Sequence, residues 1–268
     1  MIVFPNAKIN IGLSVTNKRS DGFHELESVF YPIKWSDVLE VQEASNLSFR
    51  STGIGIPGKN SDNLCLKAYE IIKNIYDIPL VNIHLHKNIP IGAGMGGGSS
   101  DGAFMLRALN DLFCLNISID EQMEIAGNLG SDCPFFILNR PCLVKGTGDI
   151  LKPLELNLGG YKVLLINPSI HINTAWAYGH ILPCKVENNW FEVLTSPIKE
   201  WKGIKNDFES IVFEKEPSIA KIKHDLYDQG ALYSSMSGSG STVFAIFEKD
   251  QKIDISPFSD FQIFIHEA

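Results

Sequence analysis

The stretch PIGAGMGGGSSDGA, Pro90 to Ala103, packs six glycines and two serines into fourteen residues. Such a run folds either as a flexible linker or as a backbone surface that something approaches closely, and its flanks decide between the two. Before it, LVNIHLH alternates with Val81, Ile83 and Leu85 on one side and Asn82, His84 and His86 on the other, the period of a strand. After it, Ala103, Leu106, Leu109 or Asn110, and Phe113 recur at helical spacing, which predicts a helix from about Ser99 or Ser100. A short run fixed between strand and helix is no linker. Glycines let backbone N–H groups reach an oxyanion without a Cβ in the way, and a helix N-terminus adds unused donors and a favourable dipole. The stretch reads as a phosphate cradle.

Gly92, Gly94 and Gly97 formally satisfy G-x-G-x-x-G, but a dinucleotide site also needs an acid at the end of the next strand, and Asp120 falls in a helix cap. No G-x-x-x-x-G-K-[ST] occurs, and V-A-I-K, H-R-D and D-F-G are missing, so neither a Walker loop nor a protein-kinase layout fits. The donors left are the loop amides and the hydroxyls of Ser99 and Ser100.

The 268 residues are 44% hydrophobic and 20% charged, enough for one large or two moderate cores, and the formal net charge of -8 argues against a nucleic-acid binder. Cys65, Cys114, Cys133, Cys142 and Cys184 show no C-x-x-C pairing, which points to free thiols in a reducing cytosol. With no signal peptide and no long apolar run, the expectation is a cytoplasmic protein without a membrane span.

Elsewhere, KINIGL alternates as a strand that presents Lys8 and Asn10 side by side, and RSDGFHE carries an Asp-Gly turn with Phe23 and His24 at its tip. SDNLCLKAYEIIKNIY predicts a helix capped by Ser61 or Asp62, with Leu64, Ala68, Ile71, Ile72 and Ile75 on its core stripe. A capping box at Ser118 and Glu121 opens a helix that Gly130 closes, which leaves Asp132 in the turn beyond. Strands and helices without strict alternation indicate an α+β chain of two lobes, 1–155 and 156–268.

Lys8 alone is as readily an edge-strand charge, and Asp132 alone a turn residue. With a phosphate loop they become a set: a carboxylate to take a hydroxyl proton, an ammonium to offset developing charge and a cradle for a triphosphate. His84 and His86 share a strand face without a third ligand in a helpful pattern, so no metal is assigned to them. Phe23 with His24 is the kind of pair that reads a base, one ring to stack and one group to hydrogen-bond.

PNAKINIGLSV, PIGAGMGGGSSDGA and SMSGSGSTVFAIF, in that order and spanning most of the chain, resemble the three sequence blocks of the GHMP kinases. KRSDGFHELESVF, GSDCPFF and KGTGDIL narrow the resemblance to the branch acting on a cytidyl diphosphate ester of methylerythritol in the non-mevalonate route to isoprenoids. The resemblance implies a two-lobed GHMP kinase fold, with a ribosomal-protein-like N-terminal lobe and a ferredoxin-like C-terminal lobe. It implies ATP as phosphoryl donor with Mg2+ bound to it. It makes Asp132 the base and Lys8 its catalytic partner, and gives the acceptor to Asn10, Phe23, His24, Thr174 and Tyr178, with Tyr178 the stacker. ATP falls to Asn63 and Lys87 near the adenine and to Pro90, Ile91, Gly92, Ala93, Gly94, Met95, Gly96, Gly97, Gly98, Ser99 and Ser100, while Gly238 and Gly240 back the active site. Phe23, Met95, Gly102, Ser131 and Cys133 depart from the usual tyrosine, leucine, alanine, alanine and valine. Two rival readings are another small-molecule GHMP kinase, for mevalonate, a phosphorylated mevalonate or homoserine, and a nucleotide-binding module without catalysis.

Overall fold

The computed structural model describes residues 1–183 and 190–267. In chain order the strands are β1 (Ile2–Val3), β2 (Asn6–Lys18), β3 (His24–Ser36), β4 (Val38–Ala44) and β5 (Ser48–Gly53), followed by α1 (Leu64–Ile75), β6 (Leu80–Lys87), α2 (Gly97–Leu112), α3 (Ile119–Leu129) and α4 (Cys133–Leu138). Then come β7 (Cys142–Lys145), β8 (Ile150–Pro153), β9 (Tyr161–Asn167), α5 (Thr174–His180), α6 (Trp190–Thr195), α7 (Phe208–Lys215), α8 (Pro217–Asp228), β10 (Tyr233–Met236), β11 (Val243–Glu248) and β12 (Gln262–Glu267). Two compact units share the chain: 1–8, 32–91 and 96–140 form the first, and 9–31, 92–95 and 141–268 the second.

In the first unit a sheet of order β1-β4-β6-β5 pairs Leu39 with Leu85, Val41 with Ile83 and Glu43 with Val81. The period-two pattern of β6 is kept: Val81, Ile83 and Leu85 are buried, while Asn82 and His86 are exposed and His84 half-buried. Helix α2 packs against β4 and α1. Helix α1 starts later than its sequence suggests, because Asn60–Asp62 closes a 3-10 turn and Asn63 becomes the cap, its side chain accepting from the Cys65 N–H at 2.9 Å. The buried face follows that start and consists of Cys65, Leu66, Ala68, Tyr69 and Ile72, leaving Ile75 exposed. Of the expected capping box the Ser118 half forms, with Ser118 Oγ accepting from the Glu121 N–H, while Glu121 Oε1 accepts from the Tyr76 hydroxyl; Gly130 ends α3.

In the second unit an antiparallel sheet of order β10-β11-β9-β12 carries Leu164, Ile166, Val243, Ala245 and Phe247 into a core completed by Phe208, Val212, Ile219, Ile222 and Leu226 from α7 and α8. Apart from Ala245, each such side chain contributes about 1.5–3 kcal/mol by leaving water. The third sheet has the order β2-β3-β7-β8. Strand β2 departs from a two-faced pattern, since Ala7 through Val15 are all buried. Lys8 and Asn10 therefore lie inside the protein, at 4% and 1% exposure, and Lys8 is no solvated surface charge even though β2 ends the order of its sheet.

Candidate active site

In the first unit the glycine run enters α2 two to three residues earlier than its apolar spacing suggests. Gly96 is the cap, with φ 68° and ψ 17°, a left-handed conformation that glycine takes without penalty and that stops the strand side of the loop from extending. A Cβ on Gly96 would lie 2.9 Å from the Phe136 ring and 3.3 Å from Cε of Lys8. The first bond of the helix runs from the Ser100 N–H to the Gly96 carbonyl, so the amides of Gly97, Gly98 and Ser99 fall outside the helical ladder. Gly98 is exposed, and nothing lies within 4 Å of the place its Cβ would occupy.

Asp132 caps α4, two residues after Gly130 ends α3. Its carboxylate stands 3.7 Å from Nζ of Lys8, with the Lys8 side chain 5% exposed and that of Asp132 32%. The cation is thus sealed in, while its partner is open to a ligand. Burial pulls the Lys8 ammonium below its ordinary 10.5, and the Asp132 carboxylate opposes that pull. Next in the chain, the buried Cys133 thiol is pushed up to about 12 by desolvation, partly offset by a hydrogen bond with Ser99. Lys8, Asp132, Gly96 and Ser99 are therefore neighbours at one helix start.

Lys87 lies under this start: its Nζ is bonded to Asp37 and, at 2.7 Å, to Asp101. Burial works against its charge, and the two carboxylates outweigh burial, so the proton is held more tightly than usual. Asp37 also accepts from the Asn88 and Ile89 N–H groups at 2.6 and 2.9 Å. Both flanks of the glycine run are tied by this triad. Asp101 lies within the glycine-rich stretch Pro90–Ala103 and Asp37 fifty residues before Lys87, and no local pattern marks either as a partner of Lys87.

In the second unit Asn10 donates from Nδ2 to Ser28 Oγ at 2.9 Å and from its backbone to Ser237 Oγ at 3.2 Å, and Ser237 in turn donates to the Gly94 carbonyl at 2.8 Å. Gly238, at φ 56°, is so close to Gly94 that a Cβ there would meet its Cα at 3.1 Å. The two glycine blocks are in contact through this approach. His24 is buried and stacked on Tyr178, with ring centroids 5.1 Å apart and planes 28° from parallel. Burial, with the nearby Lys18, holds its imidazole below the usual 6.5, which keeps it neutral at pH 7. Tyr178 is braced edge-on by Phe208. Thr174 bonds Ser239 at 3.0 Å. Phe23 sits apart from these rings' contacts, at the hairpin tip with its N–H on Asp21, and the residue is 64% exposed. The aromatic partner of His24 in this structure is thus Tyr178.

His84 and His86 share the Thr52 hydroxyl, at 2.9 and 3.0 Å, on the outer face of the first sheet. Among the described residues Cys65, Cys114, Cys133 and Cys142 form no disulfide, and Cys184 lies outside the described residues. Among the described residues no helix is long and apolar enough to cross a membrane.

The family model of the GHMP kinases N terminal domain matches residues 63–140, and that of the GHMP kinases C terminal matches 197–256. A protein of Azobacteroides pseudotrichonymphae named 4-diphosphocytidyl-2-C-methyl-D-erythritol kinase is 47% identical over 268 residues, 99% of each chain. One of the same name from Cytophaga hutchinsonii is 50% identical over 92% of each chain. A crystal structure of 4-(cytidine 5'-diphospho)-2C-methyl-D-erythritol kinase superposes with a TM-score of 0.83 at 28% identity, covering 99% of this chain and 98% of that one. With both family models matched in order and such identity end to end, the chain belongs to the GHMP kinases, and within them to the group that carries that kinase name.

Proposed function

We infer that the protein transfers the γ-phosphoryl of ATP to the 2-hydroxyl of 4-diphosphocytidyl-2-C-methyl-D-erythritol, a step of non-mevalonate isoprenoid precursor synthesis in the cytoplasm. The observation that carries the reading is the solvent-accessible Asp132 carboxylate paired with a sealed Lys8 ammonium beside the glycine-capped start of α2. Phosphoryl transfer to an alcohol needs a proton acceptor, a fixed positive charge and oriented donors for the phosphates, and little else from the protein.

In this mechanism MgATP enters as the substrate complex, and the amides of Gly97, Gly98 and Ser99 with the α2 dipole hold its phosphate oxygens. Asp132 accepts the proton of the acceptor hydroxyl as the oxygen forms its bond to the γ-phosphorus. The bond from that phosphorus to the bridging oxygen breaks, and ADP leaves with the electron pair. Lys8 offsets negative charge on the attacking oxygen. Pro90 to Met95 shape the approach to the triphosphate, and Gly238 and Gly240 back it. Asn63 and Lys87 border the adenine through their backbone and the shape they impose, because their side chains are engaged by the α1 cap and by Asp37 and Asp101. Neutral His24 hydrogen-bonds the cytosine edge and Tyr178 supplies the stacking face, with Thr174 and Asn10 holding the acceptor and Phe23 closing over it from the hairpin tip. A His24–Tyr178 pair suits a nucleobase and serves no purpose for mevalonate or homoserine.

The test is ADP release measured with the cytidyl substrate, mevalonate and homoserine side by side. The cytidyl compound alone should turn over, and Asp132→Asn should bind ATP as the wild type does while losing at least about a hundredfold in kcat. Turnover of mevalonate or homoserine at a comparable rate, or a near wild-type rate for Asp132→Asn, refutes the corresponding half of the reading.

A further inference from the structure

Asn206 has every hydrogen-bonding group of its side chain engaged by backbone. Its amide donates to the Met236 carbonyl at 2.7 Å and to the Gly238 carbonyl at 2.8 Å, and its Oδ1 accepts from the Phe208 N–H at 3.0 Å. It is 2% exposed, and both N–H groups of its amide are used within the protein. Its own backbone is fixed on both sides, since Lys205 O accepts from the Leu13 N–H and the Asp207 N–H donates to Leu13 O. Three residues on, Glu209 Oε1 accepts from the Met236 N–H at 2.9 Å and the Ser235 hydroxyl at 3.1 Å, while its other oxygen takes Lys223 at 2.6 Å. One short segment, Asn206–Glu209, therefore grips the second glycine block from behind.

That block grips the phosphate loop in turn. Ser237 donates to Gly94 O at 2.8 Å, Thr242 N–H donates to Ala93 O at 3.3 Å, and a Cβ on Gly94 would fall 1.9 Å from the Ser237 carbonyl. Contacts this close pass a displacement of a few tenths of an ångström directly to the loop. We propose that Asn206, with Glu209 as second anchor, is a positioning residue that sets the conformation of Gly92–Met95 through the turn Met236–Thr242, and thereby the affinity for the nucleotide triphosphate. The type of residue is specific: a carboxamide offers two N–H groups in one plane, whereas aspartate would turn a carboxylate toward two carbonyl oxygens. The link to ATP rests on the kinase reading above; the link to the loop does not.

Two measurements separate these. In nucleotide-free protein, Asn206→Asp should speed amide exchange of Gly240 and Thr242 at least about tenfold while global stability is followed by denaturant. By calorimetry, the ATP Kd should rise about tenfold in Asn206→Asp and about fivefold in Ser237→Ala, and the double variant should be no weaker than the worse single one, because both cut the same chain of contacts. Unchanged exchange in a folded Asn206→Asp protein overturns the clamp, and so do effects that multiply in the double variant. If Asn206→Asp fails to fold, Glu209→Gln and Ser237→Ala carry the test, and wild-type ATP affinity in both overturns it. A wild-type protein that binds no ATP defeats the kinase reading, while the exchange result still decides the clamp.

Discussion

Lys8 is an ammonium where water does not reach, and the consequence for stability has a definite sign. Burial lowers its pKa, so the unfolded chain keeps this proton to a higher pH than the folded protein does. Below the folded-state value the buried charge opposes folding in full, and that opposition fades as pH rises from there to the ordinary 10.5. Asp132 is about one-third exposed and keeps water as an alternative partner, so deleting the lysine leaves no stranded buried carboxylate. Lys8→Met should therefore raise stability at pH 7 by about 1 kcal/mol while reducing kcat at least about a hundredfold, checked by urea unfolding alongside turnover. A loss of several kcal/mol would show that the ion pair holds the fold together. At this scale the sequence was informative about chemistry and less so about surroundings. Lys8 and Asp132 could be picked out because a phosphate loop needs such partners. The resemblance gave His24 and Tyr178 to the same acceptor, but the stacking of one ring on the other was not anticipated, since 154 residues separate them and no local rule links them. Asn206 and Asp37 carried no mark at all, because a side chain's backbone partners are set by tertiary contacts.

Among elements, the strand, glycine loop and α2 sequence was legible from period and composition alone. Its boundary was off by two to three residues because apolar spacing starts only where the helix touches the core, whereas the backbone turns helical at Gly97. The glycines of the loop are not equivalent, and this yields opposite outcomes. Gly94 has φ 78° and no room for a Cβ, so Gly94→Ala should destabilise the protein by several kcal/mol through a backbone clash. Gly98 lies in the first helical turn with open space around it, so Gly98→Ala should leave stability unchanged or higher by up to about 1 kcal/mol. The same methyl stands on the surface assigned to the phosphates, and ATP affinity should fall about tenfold. Thermal unfolding and nucleotide titration of both variants check the contrast; equal behaviour would mean that the run acts only as a bend.

For the whole molecule, a chain of net charge -8 binds two anionic ligands only through local donors, and such binding returns as stability. ATP at about 100 times its Kd should raise the unfolding free energy by about 2.7 kcal/mol. Asp132→Asn should keep that increment, because it removes a proton acceptor and leaves the loop amides in place; differential scanning calorimetry with and without MgATP reads it. The sequence reading divided the chain once, into 1–155 and 156–268, whereas its two compact units interleave, with 92–95 grouped with the second unit while its neighbours group with the first. Short segments exchanged between units are set by which backbone they approach, and the approach of Gly94 to Ser237 is invisible to periodicity. Cys133 has a different bearing on how this protein is attacked. With a thiol pushed up to about 12, on the order of one molecule in 10⁵ carries the thiolate at pH 7. Covalent warheads and oxidants seeking a nucleophile next to Asp132 meet an inert sulfur, so a covalent inhibitor of this protein has no foothold at Cys133.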